Sequence, residues 1–187
     1  MMKRLILLLV ALLVVGAAEG ALMKDIKPGK VNVDLGDGYK VSFTLPNTVS
    51  AYDIKTDPEY HSASVSASGS EESFIEIALW VESQPFSHSI PAAGRSDSGF
   101  TYVPRSIDGA TGCVTYLYPE GNPGTNPDEA RGAVFRYYPG ATAPKAVLDG
   151  TEVEGMYELV ADTLGSSGQK TISVFDSILN SIHVTGV

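Results

Sequence analysis

The sequence predicts an α+β domain, a mostly antiparallel sheet closed by one C-terminal helix. Three observations lead there. Apolar and polar residues alternate along residues 31–45 around a glycine-rich reversal, the pattern of a half-buried hairpin. Further short apolar runs recur between breaks rich in proline, glycine and serine. Only the stretch from Ile172 to Ile182 changes to the three-and-four spacing of a helix. A β-sandwich-like domain with one terminal helix is the alternative arrangement of the same elements.

The elements follow in order. Val31, Val33 and Leu35 alternate with Asn32 and Asp34. Gly36-Asp37-Gly38 reverses the chain, and Tyr39, Val41, Phe43 and Leu45 resume the alternation until Pro46. Residues 51–72 carry a weaker pattern; the small residues from His61 to Gly69 suit an edge strand or a loop. Ser73–Val81, with Phe74, Ile75, Ile77, Leu79 and Trp80, is apolar on both faces and suits a central strand. Residues 83–99 read as a loop, and Phe100–Val103 starts a short strand. The turn Ile107-Asp108-Gly109 feeds a strand from Cys113 to Tyr118.

Residues 119–132 have no apolar periodicity and read as a long loop. Strands are expected again at Ala133–Tyr138 and Glu154–Ala161, with a break at Gly165–Gly168. In the terminal helix Ile172, Phe175, Ile178, Leu179 and Ile182 share one stripe, opposite Ser173, Asp176, Asn180 and Ser181. That stripe needs a sheet to dock on.

The N-terminus has the layout of an export signal. Lys3 and Arg4 precede an apolar run from Leu5 to Val15, and small residues follow at Gly16, Ala17, Ala18, Gly20 and Ala21. Spanning a hydrocarbon core of ~30 Å takes roughly 20 apolar residues, more than this run supplies. Residues 1–20 therefore read as a signal peptide cut after Ala18 or Gly20, with an uncleaved tether as the alternative. Residues 21–187 read as a single extracytoplasmic domain.

The chain has 13 basic and 22 acidic residues; the signal removes two of the former and one of the latter, leaving a net charge of −10. Such a surface disfavours nucleic acid and anionic lipid, and no membrane contact beyond the export signal is expected. Cys113 is the only cysteine, so no disulfide can form within the chain, and it reads as a buried, inert thiol.

Catalytic grammar is sparse, and no catalytic residue or cofactor is assigned. Gly94-Arg-Ser-Asp-Ser-Gly99 misses the nucleophile-elbow pattern, and Ser167-Gly-Gln-Lys170 lacks the long helix and the Lys-Thr-Gly strand of its penicillin-binding counterpart. His61, His88 and His183 are scattered; His183 is expected to favour the helix C-terminus electrostatically. Glu120, Asn122, Asn126, Asp128 and Glu129 put oxygen ligands in one loop, with Glu120, Asp128 and Glu129 as weak calcium candidates, but the EF-hand pattern is missing.

Tyr116 and Tyr118 precede Pro119, and Tyr137 and Tyr138 precede Pro139. One tyrosine of each pair is expected to face outward, where an amphipathic ring suits contact with protein or glycan. These four, with Asn122, Asn126 and Asp128, form the candidate binding set.

The runs Tyr39-Lys-Val-Ser-Phe-Thr-Leu-Pro46 and Phe74-Ile-Glu-Ile-Ala-Leu-Trp-Val81 come in a telling order. The turn Ile107-Asp-Gly-Ala-Thr-Gly112 and the ending Phe175-Asp-Ser-Ile-Leu-Asn-Ser-Ile-His-Val184 complete it. This order resembles the PsbP-like superfamily and covers the mature chain outside residues 119–155. The resemblance implies an interaction module and carries over no functional residue. The expected function is a non-enzymatic binding or accessory domain engaging a protein or glycan at the cell surface. The alternative is a secreted hydrolase or glycan-acting enzyme drawing on Asp97, Asp108, Asp128 and Glu129.

Overall fold

The computed structural model describes residues 20–81, 94–95, 100–108, 110–118, 132–137, 145–148, 151–161 and 168–185. The elements are β1 (Leu22–Ile26), β2 (Gly29–Gly36), β3 (Tyr39–Leu45), β4 (Tyr52–Asp57), β5 (Ser62–Ala67), β6 (Ser73–Val81) and β7 (Gly94–Arg95). There follow β8 (Phe100–Ile107), β9 (Ala110–Leu117), β10 (Gly132–Tyr137), β11 (Lys145–Leu148), β12 (Thr151–Ala161), α1 (Gly168–Ser181) and β13 (His183–Thr185). The fold is α+β, mostly antiparallel sheet with one helix near the C-terminus.

The larger sheet runs β1-β4-β5-β6-β12-β10-β9-β8-β7, with β11 paired to the first half of β12. Two meanders build it, β4-β5-β6 and β8-β9-β10-β12, and the β6–β12 pair joins them. The smaller sheet is β13-β3-β2. It lies against β4 and β5 through β2, while α1 packs on β3, β6, β12 and β10.

The expected hairpin is β2–β3. Asp37 and Gly38 both have positive φ, 50° and 84°, the geometry of a type I′ turn, whose twist matches that of the strands it joins. Val33, Leu35, Tyr39, Val41, Phe43 and Leu45 are buried, and Asp34 and Lys40 are exposed, so the alternation marks the core face directly. Strand β6 is internal, as its two apolar faces require. The register shifts where Val65 opposes Ile75 but Ser66 opposes Ser73. Phe74 is then an extra residue, buried beside Ile75, and its ring meets that of Tyr52 edge-on at 6.3 Å.

The weak segment 51–72 forms two strands, and β5 is interior rather than an edge or a loop. Its Ala63 and Val65 are fully buried. Small side chains weaken the apolar signal there while letting β2 pack against β4 and β5. Strands β1, β7 and β11 are short or lack alternation, so no local pattern marks them.

The helix stripe docks as expected. Ile172, Phe175, Ile178, Leu179 and Ile182 are buried, and Val174 joins them. At about 1.5–3 kcal/mol for each large side chain taken out of water, this face is a main source of stability. The helix is not the last element, however, because β13 follows and pairs with β3 from Ser42 to Lys40. Beyond that pairing, the last turn of α1 serves the strand instead. Thr44 N–H donates to Ser181 Oγ at 2.8 Å, and Ser177 Oγ donates to the Thr44 carbonyl at 3.0 Å.

Candidate functional site

A polar arrangement among the described side chains lies where the β8–β9 hairpin meets α1 and β13. In antiparallel register Arg105 of β8 opposes Gly112, and Thr101 opposes Tyr116. Side chains two apart on a strand share a face, so Thr101, Val103 and Arg105 share the face of Val114, Tyr116 and Tyr118. That face looks toward the helix.

Arg105 reaches α1 there. Its Nη1 lies 3.3 Å from Asp176 Oδ1, and its Nη2 donates to Asn180 Oδ1. Asp176 and Asn180 stand one helical turn apart and so present neighbouring oxygens. Tyr116 donates its hydroxyl to the same Asp176 oxygen at 3.4 Å. Burial of the phenol, with the Asp176 carboxylate beside it, holds Tyr116 well above the ordinary tyrosine range, and Arg105 offsets part of this.

The hairpin turn supplies a second tie. Asp108 has φ 49°, a left-handed conformation that aspartate tolerates better than most residues. Its Oδ1 accepts from His183 Nδ1 at 2.6 Å, and its Oδ2 accepts from Val184 N–H at 3.0 Å. One carboxylate thus holds both the side chain that opens β13 and the backbone that follows. His183, expected to favour the helix C-terminus, lies just past α1 as the first residue of β13, where its ring is held by Asp108.

A carboxylate on one nitrogen of a histidine also orients the base of hydrolytic triads. That chemistry needs a hydroxyl or thiol on the other nitrogen. Among the described residues none hydrogen-bonds it, and His183 is largely exposed. His61, in the turn before β5, has a structural part of its own. Its Nδ1 donates to the Leu35 carbonyl at 3.1 Å, and its ring meets Tyr39 edge-on at 5.4 Å. The tip of the β2–β3 hairpin is thereby tied to the large sheet.

The tyrosine expectation needs correcting in β9. Tyr116 and Tyr118 are both buried, at 4% and 5% exposure. Two residues apart, they share a face, and their rings lie 6.5 Å apart. The outward residue at this strand end is Leu117, 41% exposed. Tyr137 sits in β10 opposite Tyr157 and Gly112, and its side chain lies outside the described ones. So do Tyr138 and the loop candidates Glu120, Asn122, Asn126, Asp128 and Glu129, together with His88, Asp97 and Ser167. Cys113 opposes Pro104 and Arg136 in register, and its side chain is likewise outside.

Of the carboxylates considered for hydrolysis, Asp108 is the one on the described chain. No group of three or more metal-ligating side chains occurs among the described residues. Arg105, Asp176 and Asn180 were not singled out from sequence. The available signal was an arginine in the alternation of Thr101 and Val103, and an acid and an amide one turn apart beside an apolar stripe. Compared with protein families, curated proteins and solved structures, the chain matches none.

Proposed function

We propose that the mature chain is a non-enzymatic extracytoplasmic accessory domain, PsbP-like in the order of its elements, that engages a protein or glycan at the cell surface. The observation that carries this reading is the use of Asp108. Both of its oxygens are committed to holding β13, one on His183 and one on the Val184 backbone. A general acid or base needs a free oxygen facing substrate. Asp176 is tied at one oxygen, Oδ1, by both Arg105 and Tyr116. The polar groups of this corner therefore support a scaffold better than a reaction centre. Contact with the partner falls to the outward positions beside the 119–131 segment, where Leu117 is an exposed apolar side chain among the described residues.

The test is saturable binding of labelled mature protein to its own cells after they are stripped of it, with unlabelled protein as competitor. Wild type should bind saturably, and Leu117→Asp should bind more weakly with an unchanged thermal midpoint. In parallel, chromogenic esters, glycosides and peptides are offered as substrates. Turnover that Asp108→Asn abolishes while the variant remains folded would replace this reading with the hydrolytic one.

A further inference from the structure

Two peptide bonds compete as the end of the export signal. Ala18–Glu19 has small residues, Ala18 and Gly16, at the first and third positions before the cut; Gly20–Ala21 has Gly20 and Ala18. The fold treats the two bonds differently. Ala21 continues the β1–β4 pairing beyond Leu22, which opposes Lys55. Ala21 N–H donates to Thr56 Oγ1 at 2.9 Å, and Thr56 N–H donates to the Ala21 carbonyl at 2.9 Å. Thr56 is buried, 4% exposed. At Gly20 a Cβ would overlap the Thr56 carbonyl oxygen. The chain approaches β4 this closely because residue 20 has no side chain.

A cut after Gly20 would remove the residue whose lack of a side chain lets the chain approach β4. It would also make Ala21, which pairs with Thr56 through its N–H and its carbonyl, the free end of the strand. A cut after Ala18 leaves both contacts in place. On the export reading given above, we infer that processing occurs at Ala18–Glu19 and that Gly20 and Ala21 belong to the mature protein as the leading end of β1. In that step water adds across the Ala18–Glu19 amide. Ala18 leaves as the carboxylate end of the signal, and Glu19 becomes the new ammonium terminus.

The full precursor is expressed in a secreting cell, and the exported protein is weighed intact. Wild type should begin at Glu19. In Gly20→Val the altered residue lies two positions beyond the inferred bond, so processing should proceed there and the mature product should retain valine. The clash with Thr56 should then lower its thermal midpoint by ~3 °C or more. If the cut instead follows residue 20, a β-branched side chain occupies a position that takes small residues, and precursor accumulates. A wild-type protein beginning at Ala21, or a blocked Gly20→Val precursor, overturns the inference and leaves export standing. An intact Met1 on wild type overturns the export reading itself. The wild-type mass decides even if the valine variant fails to fold.

Discussion

The apolar flank of α1 and its polar flank meet the protein in opposite ways. On one side Ile172, Phe175, Ile178 and Leu179 are sealed from water by β3 and the central strands. On the other, Asp176 and Asn180 reach Arg105 and Tyr116 through hydrogen bonds at a half-open margin. The first kind of contact is non-directional and scales with area. The second gains little energy in partial contact with water but fixes geometry. Dry packing therefore holds the helix on, while the polar margin sets how the β8–β9 hairpin lies beside it.

Breaking the apolar side should have the largest effect. Phe175 is fully buried, and Phe175→Ala should cost about 3–5 kcal/mol through lost transfer energy and an unfilled cavity. Against a typical domain stability of about 5–15 kcal/mol, that variant should be marginal. The urea midpoint reads the loss, and an unchanged midpoint would mean the flank is not docked.

An intermediate effect should appear at alkaline pH. Tyr116 is raised by burial and by Asp176, Tyr39 by burial and Asp37, and Tyr52 by burial. For a raised folded pKa, stability is fully present below the unfolded value, about 10 for tyrosine. It is lost as pH rises above that, because the unfolded chain then releases protons that the folded one keeps. Urea midpoints should thus fall between pH 10 and 12 more steeply than between pH 7 and 9. Tyr116→Phe should flatten part of that fall, with the remainder left to Tyr39 and Tyr52. A variant as steep as wild type would show that Tyr116 ionises freely.

The smallest effect should come from the charged pair. Arg105 and Asp176 are each about a third exposed, so a double-mutant cycle with Arg105→Ala and Asp176→Asn should give a coupling of no more than about 1 kcal/mol, reduced by salt. A larger, salt-insensitive coupling would make the polar flank an equal partner of the apolar one.

What could be read from the sequence follows from how local each signal is. Period-two alternation in residues 31–45 and the spacing of the α1 stripe are set by one element's own geometry, so the hairpin and the helix were legible with their buried faces. The same holds for the Asp-Gly reversals at Asp37 and Asp108, whose left-handed backbone suits those residues. Strand β5 was not legible as an interior strand, because its burial comes from neighbours on both sides rather than from bulky side chains of its own. The tyrosine pair in β9 was misread on a point that period two does determine: residues 116 and 118 must share a face.

Tertiary structure alone decided which distant groups meet. Asp108 finds His183 and Val184, Arg105 finds Asp176, and Thr56 finds Ala21, all across separations that no local pattern encodes. A side chain's own conformational preference is written in its neighbours along the chain. Its partner is chosen by the sheet order and by the packing of α1, where the burial of many side chains together outweighs any single polar contact.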